Sequence, residues 1–255
     1  MNAKYYGIFP ILVVATGLQA ADFAIRSGTV VTNMPGQSVV LDGSPIIGHR
    51  DTAASPTLDI VAGDFSSPGD FYLQKGNGTK DAPQTSTLIV RDDASLTVPN
   101  LSTGQNNGNA SHYSRSRLVV DGGTLTVGLP SNNNSGNVSH SENNGSAAIE
   151  VKNGGTFEAK SQYKANSGFA MGNNASADST PTLDVTSGSS FSAHGMLIRQ
   201  GATASVDNAT MRIDRTMDGR YDQAMGAVHF NAATLTHFPQ YTWNIAFGNL
   251  DNKAV

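Results

Sequence analysis

Apolar and polar residues alternate along much of this chain. In RLVVDGGTLTVG, which starts at Arg117, Leu118 and Val120 are separated by a single residue, and Leu125 and Val127 repeat that spacing after a double glycine. A period of two marks a strand with one buried face, because successive side chains leave opposite sides of the pleat. The Gly122-Gly123 pair permits a bend that a β-carbon would obstruct, so it predicts a tight corner. The stretch reads as strand, corner, strand.

The unit recurs. PTLDIVAGDF begins at Pro56, TLIVRDDASLTV at Thr87, AIEVKNGGTFEA at Ala148 and PTLDVTSGSSFSA at Pro181. Their first apolar residues, Leu58, Leu88, Leu118, Ile149 and Leu183, follow one another at a nearly constant interval that stretches a little at the last step. Asp93-Ala94, Gly154-Gly155 and Gly188-Ser189 occupy corners like Gly122-Gly123, the corner after Leu118 being one residue shorter. A third apolar patch follows in several units: FYLQKG from Phe71, GFAMGN from Gly168 and GMLIRQG from Gly195. Three short strands per turn of about 30 residues predict an all-β parallel β-helix, or β-solenoid. Each turn would pair its backbone with the turns above and below, about 4.8 Å away, and bury its Leu, Val, Ile, Phe and Met.

Polar insertions punctuate the pattern at residues 74–86, 104–116, 131–146 and 172–180, all rich in Asn, Gly and Ser. Recurrence at one phase predicts that they emerge along one edge, where repeat proteins commonly bind their partners. Asn106, Asn107, His112, Tyr113, Asn132, Asn133 and His140 are the candidate binding residues of that edge. The same composition also suits loops that only keep the edge soluble.

The units RLVVDGGTLTVG, AIEVKNGGTFEA and PTLDVTSGSSFSAHGMLIRQG resemble the strand repeats of bacterial autotransporter passengers and related secreted β-helix surface proteins. The resemblance covers residues 56–213. It implies a right-handed parallel β-helix at the cell surface, in adhesion or in assembly of the surface layer. The lack of cysteine suits such passengers, which cross an outer membrane unfolded. One departure is the C-terminal end, HFPQYTWNIAFGNLDNKAV, which is too short for a translocator barrel of several alternating strands.

The N-terminus refines the location. Lys4 precedes an apolar run at residues 8–14, and Leu18-Gln19-Ala20 offers a cleavage site before Ala21, which together read as a secretory signal peptide. The run falls short of the roughly 20 apolar residues of a spanning helix, and no later segment approaches that length. The expected organisation is a signal peptide at 1–20, an N-terminal cap and first strands at 21–57, β-helix repeats at 58–217, and a C-terminal cap or further segment at 218–255. The product is expected to be secreted or held at the bacterial outer surface. At the far end Phe230, Phe238, Tyr241, Trp243 and Phe247 gather scarce aromatic side chains. They suit a cover for the open end of the stack, or a platform on which Trp243 and Tyr241 bind a sugar ring.

Composition narrows the function. Only 14% of residues are charged and the formal net charge is −4, so no basic field exists to hold nucleic acid. Without cysteines, no disulfide can staple the fold. A eukaryotic extracellular protein would more often carry disulfides, so an exported bacterial protein fits better.

Catalytic signals are sparse. Asp59, Ile89, Val119, Glu150 and Asp184 share one outward position of the repeat, and among them only Glu150 and Asp184 form an adjacent acidic pair. Stacking places neighbouring turns close to the separation of about 5 Å that a retaining glycosidase requires of its two carboxyls. The expectation for a polysaccharide hydrolase or lyase is Glu150 as acid and Asp184 as nucleophile, with Asp92, Asp93, Asp121 and Lys152 nearby. A solvated outer face explains the same residues. His112 and His140 fall in consecutive insertions, but no histidine shows the ligand spacing of a metal site. No cofactor motif is present, and no GxGxxG, GxxxxGKS or Gly-x-Ser-x-Gly stretch occurs. The leading expectation is therefore a structural or adhesive surface protein that binds a glycan or a host or envelope surface protein. A polysaccharide-active enzyme comes second, and a carbohydrate-binding module third.

Overall fold

The computed structural model describes residues 23–48, 55–73, 84–104, 114–129, 135–140, 146–160, 168–172, 180–198, 201–218, 227–231, 233–236 and 244–246. Every regular element among them is a strand, and the named strands pair in parallel with the turns before and after. The protein is a parallel β-solenoid with three strand positions per turn, as the alternation predicts.

The first ladder runs through Thr29, Thr57, Thr87, Arg117, Ala148, Thr182, Thr203 and Ala227. From Thr57 to Thr182 its steps keep close to the interval seen in the sequence, but those from Thr182 to Thr203 and from Thr203 to Ala227 are clearly shorter. The reason lies in the connections. Ten residues separate Leu73 from Gln84, against four between Ile198 and Thr203. The cross-section itself needs only the shorter length, and insertions supply the rest.

Inward positions stack like on like. Leu58, Leu88, Leu118, Ile149, Leu183 and Ala204 form one buried row of the first ladder, and Ile60, Val90, Val120, Val151, Val185 and Val206 form the next. The second ladder stacks Phe65, Leu96, Leu125, Phe157, Phe191 and Met211. The third contributes Phe71, Leu101, Val138, Phe169 and Met196. Where the second and third ladders face each other, Phe157 and Phe191 stack at 5.4 Å between ring centres, and Phe169 meets Phe191 edge-on at 4.9 Å. Aromatic pairs favour both arrangements.

Corners between the first two ladders come in two lengths. The longer ones use two successive left-handed residues, Asn153 (φ 55°) with Gly154 (φ 79°), and Ser187 (φ 56°) with Gly188 (φ 74°). The shorter ones use one, Gly122 (φ 80°) or Asn208 (φ 48°). Glycine, asparagine and serine carry these positions because a bulky β-carbon strains the left-handed region. Gly155 meets a different demand: a β-carbon there would lie 2.6 Å from the Val120 carbonyl oxygen, so the neighbouring turn leaves no room for one. The Asp93-Ala94 position is no corner of this kind. Strand Gln84–Val98 runs through it, and the register slips by one residue as Ile60 pairs with Val90 and Ala62 with Asp93, which is a β-bulge.

The solenoid also extends beyond the repeats read in the sequence. Strands Ala24–Ile25 and Thr29–Val40 already belong to its ladders. Past Met217, Ala227–Asn231 stacks on Thr203–Asp207, and Asn244–Ala246 continues the third ladder. No helix among the described residues is long and apolar enough to cross a membrane.

Replacing Leu118 or Ile149 with Asp buries a charge in a dry row. Each change should cost about 4 kcal/mol or more and abolish the cooperative melt followed by circular dichroism. Thr97→Asp, on the outward face, should cost less than about 1 kcal/mol. Equal melts for all three variants would contradict the inward assignment.

Candidate functional site

The insertions begin and end on stacked strands. Leu73, Thr103, His140 and Met171, the last residues of their strands, lie directly above one another, and so do Arg115 and Ser146 where the next strands begin. The connections at 74–83, 105–113, 141–145 and 173–179 therefore all start from one edge, between the third and first ladders. Asn106, Asn107, His112, Tyr113, Asn132, Asn133, Tyr241 and Trp243 lie outside the described residues.

The stretch 131–146 is not one insertion. Strand Val138–His140 lies inside it, paired on one side with Leu101–Thr103 and on the other with Phe169–Met171. Residues 130–134 leave from a different edge, between the second and third ladders. His140 is therefore not a loop residue. Its ring is wholly buried, in the row that otherwise holds Ile47, Leu73, Thr103, Met171 and Ile198. Binding a partner at the loop edge needs an accessible side chain, and His140 has none to offer.

Both ring nitrogens of His140 are occupied. Nε2 lies 2.8 Å from the Thr182 carbonyl oxygen, and Nδ1 lies 2.8 Å from Thr103 Oγ1. A carbonyl only accepts, so Nε2 carries the proton and donates it, and Nδ1 accepts from the threonine hydroxyl. That arrangement belongs to neutral imidazole. Burial pushes the ring's pKa down to about 4, against a weaker upward pull from the Thr182 carbonyl.

Glu150 and Asp184 are brought together as the repeat predicts. They are direct partners on adjacent strands of the first ladder, on its outward face. Their surroundings differ. The Arg117 guanidinium holds Glu150 with both arms, Nε to Oε1 at 2.6 Å and Nη2 to Oε2 at 2.8 Å. That hydrogen bonding lowers the Glu150 pKa despite partial burial, whereas burial and then the neighbouring Glu150 charge raise that of Asp184. The electrostatics reverse the allocation of roles expected from the sequence: Asp184 is the carboxyl inclined to hold a proton, and Glu150 the one kept ionised.

The charges around the pair form a second network. Arg91 reaches back one turn to Asp59 in a two-pronged contact at 2.7 and 2.9 Å. Asp121 lies 3.9 Å from Arg91 Nη1 and 3.7 Å from Lys152 Nζ. Asp59, Arg91, Asp121 and Lys152 therefore alternate in sign up the face. Between them Val119 points outward yet is only 2% exposed, flanked in its row by Ile89 and Glu150 and along its strand by Arg117 and Asp121. Among the described residues, no three His, Asp or Glu side chains are grouped to hold a metal ion.

No protein-family model, curated protein or solved structure matches this chain. The resemblance to autotransporter passengers accordingly extends to architecture, a parallel β-solenoid whose turns recur at the interval read in the sequence.

Removing the Arg117 clamp should raise the pKa of Glu150 toward its ordinary value, read by carboxyl NMR in Arg117→Ala. Because a lowered folded pKa stabilises above the unfolded pKa and fades as pH falls through the folded one, the variant should lose stability at pH 7 but little at pH 3. The pair is partly exposed, so the loss should be about 0.5–1 kcal/mol and shrink in high salt. A loss independent of pH would show that packing of the arginine stem, not its charge, matters.

Proposed function

We propose that this protein is an exported structural or adhesive solenoid of the bacterial surface, which binds a glycan or a surface protein along its insertion-bearing edge. One observation carries the reading: the connections at 74–83, 105–113, 141–145 and 173–179 start from the stacked ends of one strand row. The connections at 105–113, 141–145 and 173–179 are dense in Asn, Gly and Ser, side chains and backbones that offer hydrogen bonds without strong charge, whereas 74–83 adds Lys75, Lys80 and Asp81. The strand ends from which these connections start recur once per turn, and weak contacts repeated along a line add up. The signal-peptide pattern at 1–20 supports export. A solenoid with such an edge serves as a scaffold or an adhesin.

A second reading is favoured by the Glu150 and Asp184 pair. Two carboxyls in register on adjacent strands, with pKa values driven in opposite directions, are the arrangement used to cleave glycosidic bonds. Against it, both oxygens of Glu150 are engaged by Arg117. A nucleophile committed to a guanidinium is less free to attack.

Incubating residues 21–255 with a panel of bacterial and host polysaccharides, and assaying retention and new reducing ends together, separates the two. The expected outcome is retention without release. Replacing residues 105–113 by a short Gly-Ser linker should weaken retention at least several-fold while leaving the melt unchanged. Undiminished retention would move the binding surface off this edge, and release abolished by Asp184→Asn would make the protein an enzyme.

A further inference from the structure

One buried group is used by neither reading. The row of the third ladder through Ile47, Leu73, Met171 and Ile198 is apolar except at two adjacent places, Thr103 and His140. Both side chains are buried, 1% and 0% exposed, and they bond to each other. Through Nε2 the same ring reaches the Thr182 carbonyl at the start of strand Thr182–Thr186. A single imidazole thus joins three different turns of the solenoid. Valine or methionine would fill this row without needing partners.

We propose that His140 is an acid-sensitive latch that holds the third strand of its turn in place while neutral and releases that strand when protonated. The proton would enter at Nδ1, since Nε2 already carries one. An N–H would then face Thr103 Oγ1, and that hydroxyl would have to give up donating and find another acceptor in a dry interior. Among the described residues, the new positive charge would meet no counterion. Leu101–Thr103 brings Thr103 to the ring, Phe169–Met171 brings Met171 and Phe169, the latter 6.0 Å away between ring centres, and Thr182–Thr186 brings a backbone carbonyl. None of these side chains is ionisable. Asp184, on the last of these strands, alternates to the outward face with Thr182, away from the buried Leu183 and Val185.

Location makes the release local. Strand Val138–His140 has three residues and paired neighbours of the same length, so few backbone bonds hold it and opening is cheap relative to global unfolding. Its C-terminal end leads directly into the connection at 141–145, while residues 135–137 tie its N-terminal end to Pro99, Asn100 and Leu101 of the turn before. Acid would therefore change the geometry of the edge from which 141–145 starts and leave the flanking rows of Leu and Val stacked.

The sign follows from the buried ring. Its pKa lies near 4 in the fold and about 6.5 in an unfolded chain, so between those values the unfolded or opened state binds more protons. The contribution is complete above pH 6.5 and is lost as pH falls to 4. Across that window the opening equilibrium of the full chain should rise about tenfold per pH unit, roughly 300-fold in all.

The test is amide hydrogen exchange by NMR on residues 21–255 at several values between pH 7.5 and 4, corrected for intrinsic rates, with the His140 ring protons followed in parallel. The expected result is a ring that stays neutral to about pH 4, with protection lost at 138–140 and 169–171 before it is lost at Leu118. The Thr103→Val, His140→Met double variant, which completes the apolar row, should lose this acid dependence and keep its protection at neutral pH. A ring titrating near 6.5, uniform loss of protection along the chain, or the same pH profile in the double variant would each overturn the proposal. Should the double variant fail to fold, the ring titration and the order of exchange in the unmodified chain still decide.

Discussion

Parallel stacking in register is the constraint on which the rest of this structure depends. Each strand inside the stack hydrogen-bonds to equivalents about 4.8 Å above and below it, so each side chain has its own counterpart of the next turn as a nearest neighbour. A residue type that suits one turn must tolerate its like. Aliphatic and aromatic side chains do so inside, where Phe157, Phe191 and Phe169 pack ring against ring. Hydroxyls do so outside, as Ser190 and Thr156 show by bonding at 3.2 Å across turns. Corners obey the same rule, since Gly155 must pass within reach of the Val120 carbonyl.

Charge obeys it least easily, because a stacked column of like charges repels. The outer face of the first ladder resolves this by alternating sign and offset. Arg91 sits between Asp59 and Asp121, and Arg117 reaches one turn ahead to Glu150. Among the described residues of this face, only the step from Glu150 to Asp184 sets carboxyl beside carboxyl without a cation at the second, and there the pKa of Asp184 rises. The tension at this pair is a product of the stack, whatever chemistry it serves.

Variation in turn length is confined to the connections. The turn from Ala148 to Thr182 is long because it carries insertions, and the turn from Thr182 to Thr203 is short because its third strand leads almost directly into the next. The hydrophobic interior is indifferent to these lengths as long as the strands resume in register. That freedom lets the edge carry diverse polar sequence while the interior stays uniform, which suits the proposed scaffold or adhesin. The interior departs from uniformity at Thr103 and His140, the one described place where the buried row of the third ladder is polar on consecutive turns.

How much of this was legible in the chain depends on distance along it. Alternation of Leu118 with Val120, and of Leu125 with Val127, is a property of near neighbours, so it fixed strands, inward faces and corners without reference to any other turn. The recurrence of that pattern at a nearly constant interval was enough for the solenoid and for the adjacency of Glu150 and Asp184. Strands beyond Met217 escaped because the turns there are shorter and break the period, whereas Ala204, Val206, Met211 and Ile213, inside the span read as repeats, alternate as well as any earlier strand. Val138–His140 escaped because three residues within a polar stretch carry too weak a period, and a histidine at the inward phase looks like a loop residue until Leu101–Thr103 and Phe169–Met171 are set beside it. Partnership between side chains was not legible at all. Arg117 finds Glu150, and His140 finds Thr103 and Thr182, across 33, 37 and 42 residues. Sequence alone determined which residues face inward wherever a strand is long enough to alternate clearly, because that is set by the pleat. Tertiary structure decided which side chains bond and in which direction each carboxyl's pKa moves, because residues 33 to 42 positions apart come within bonding distance only once the stack closes.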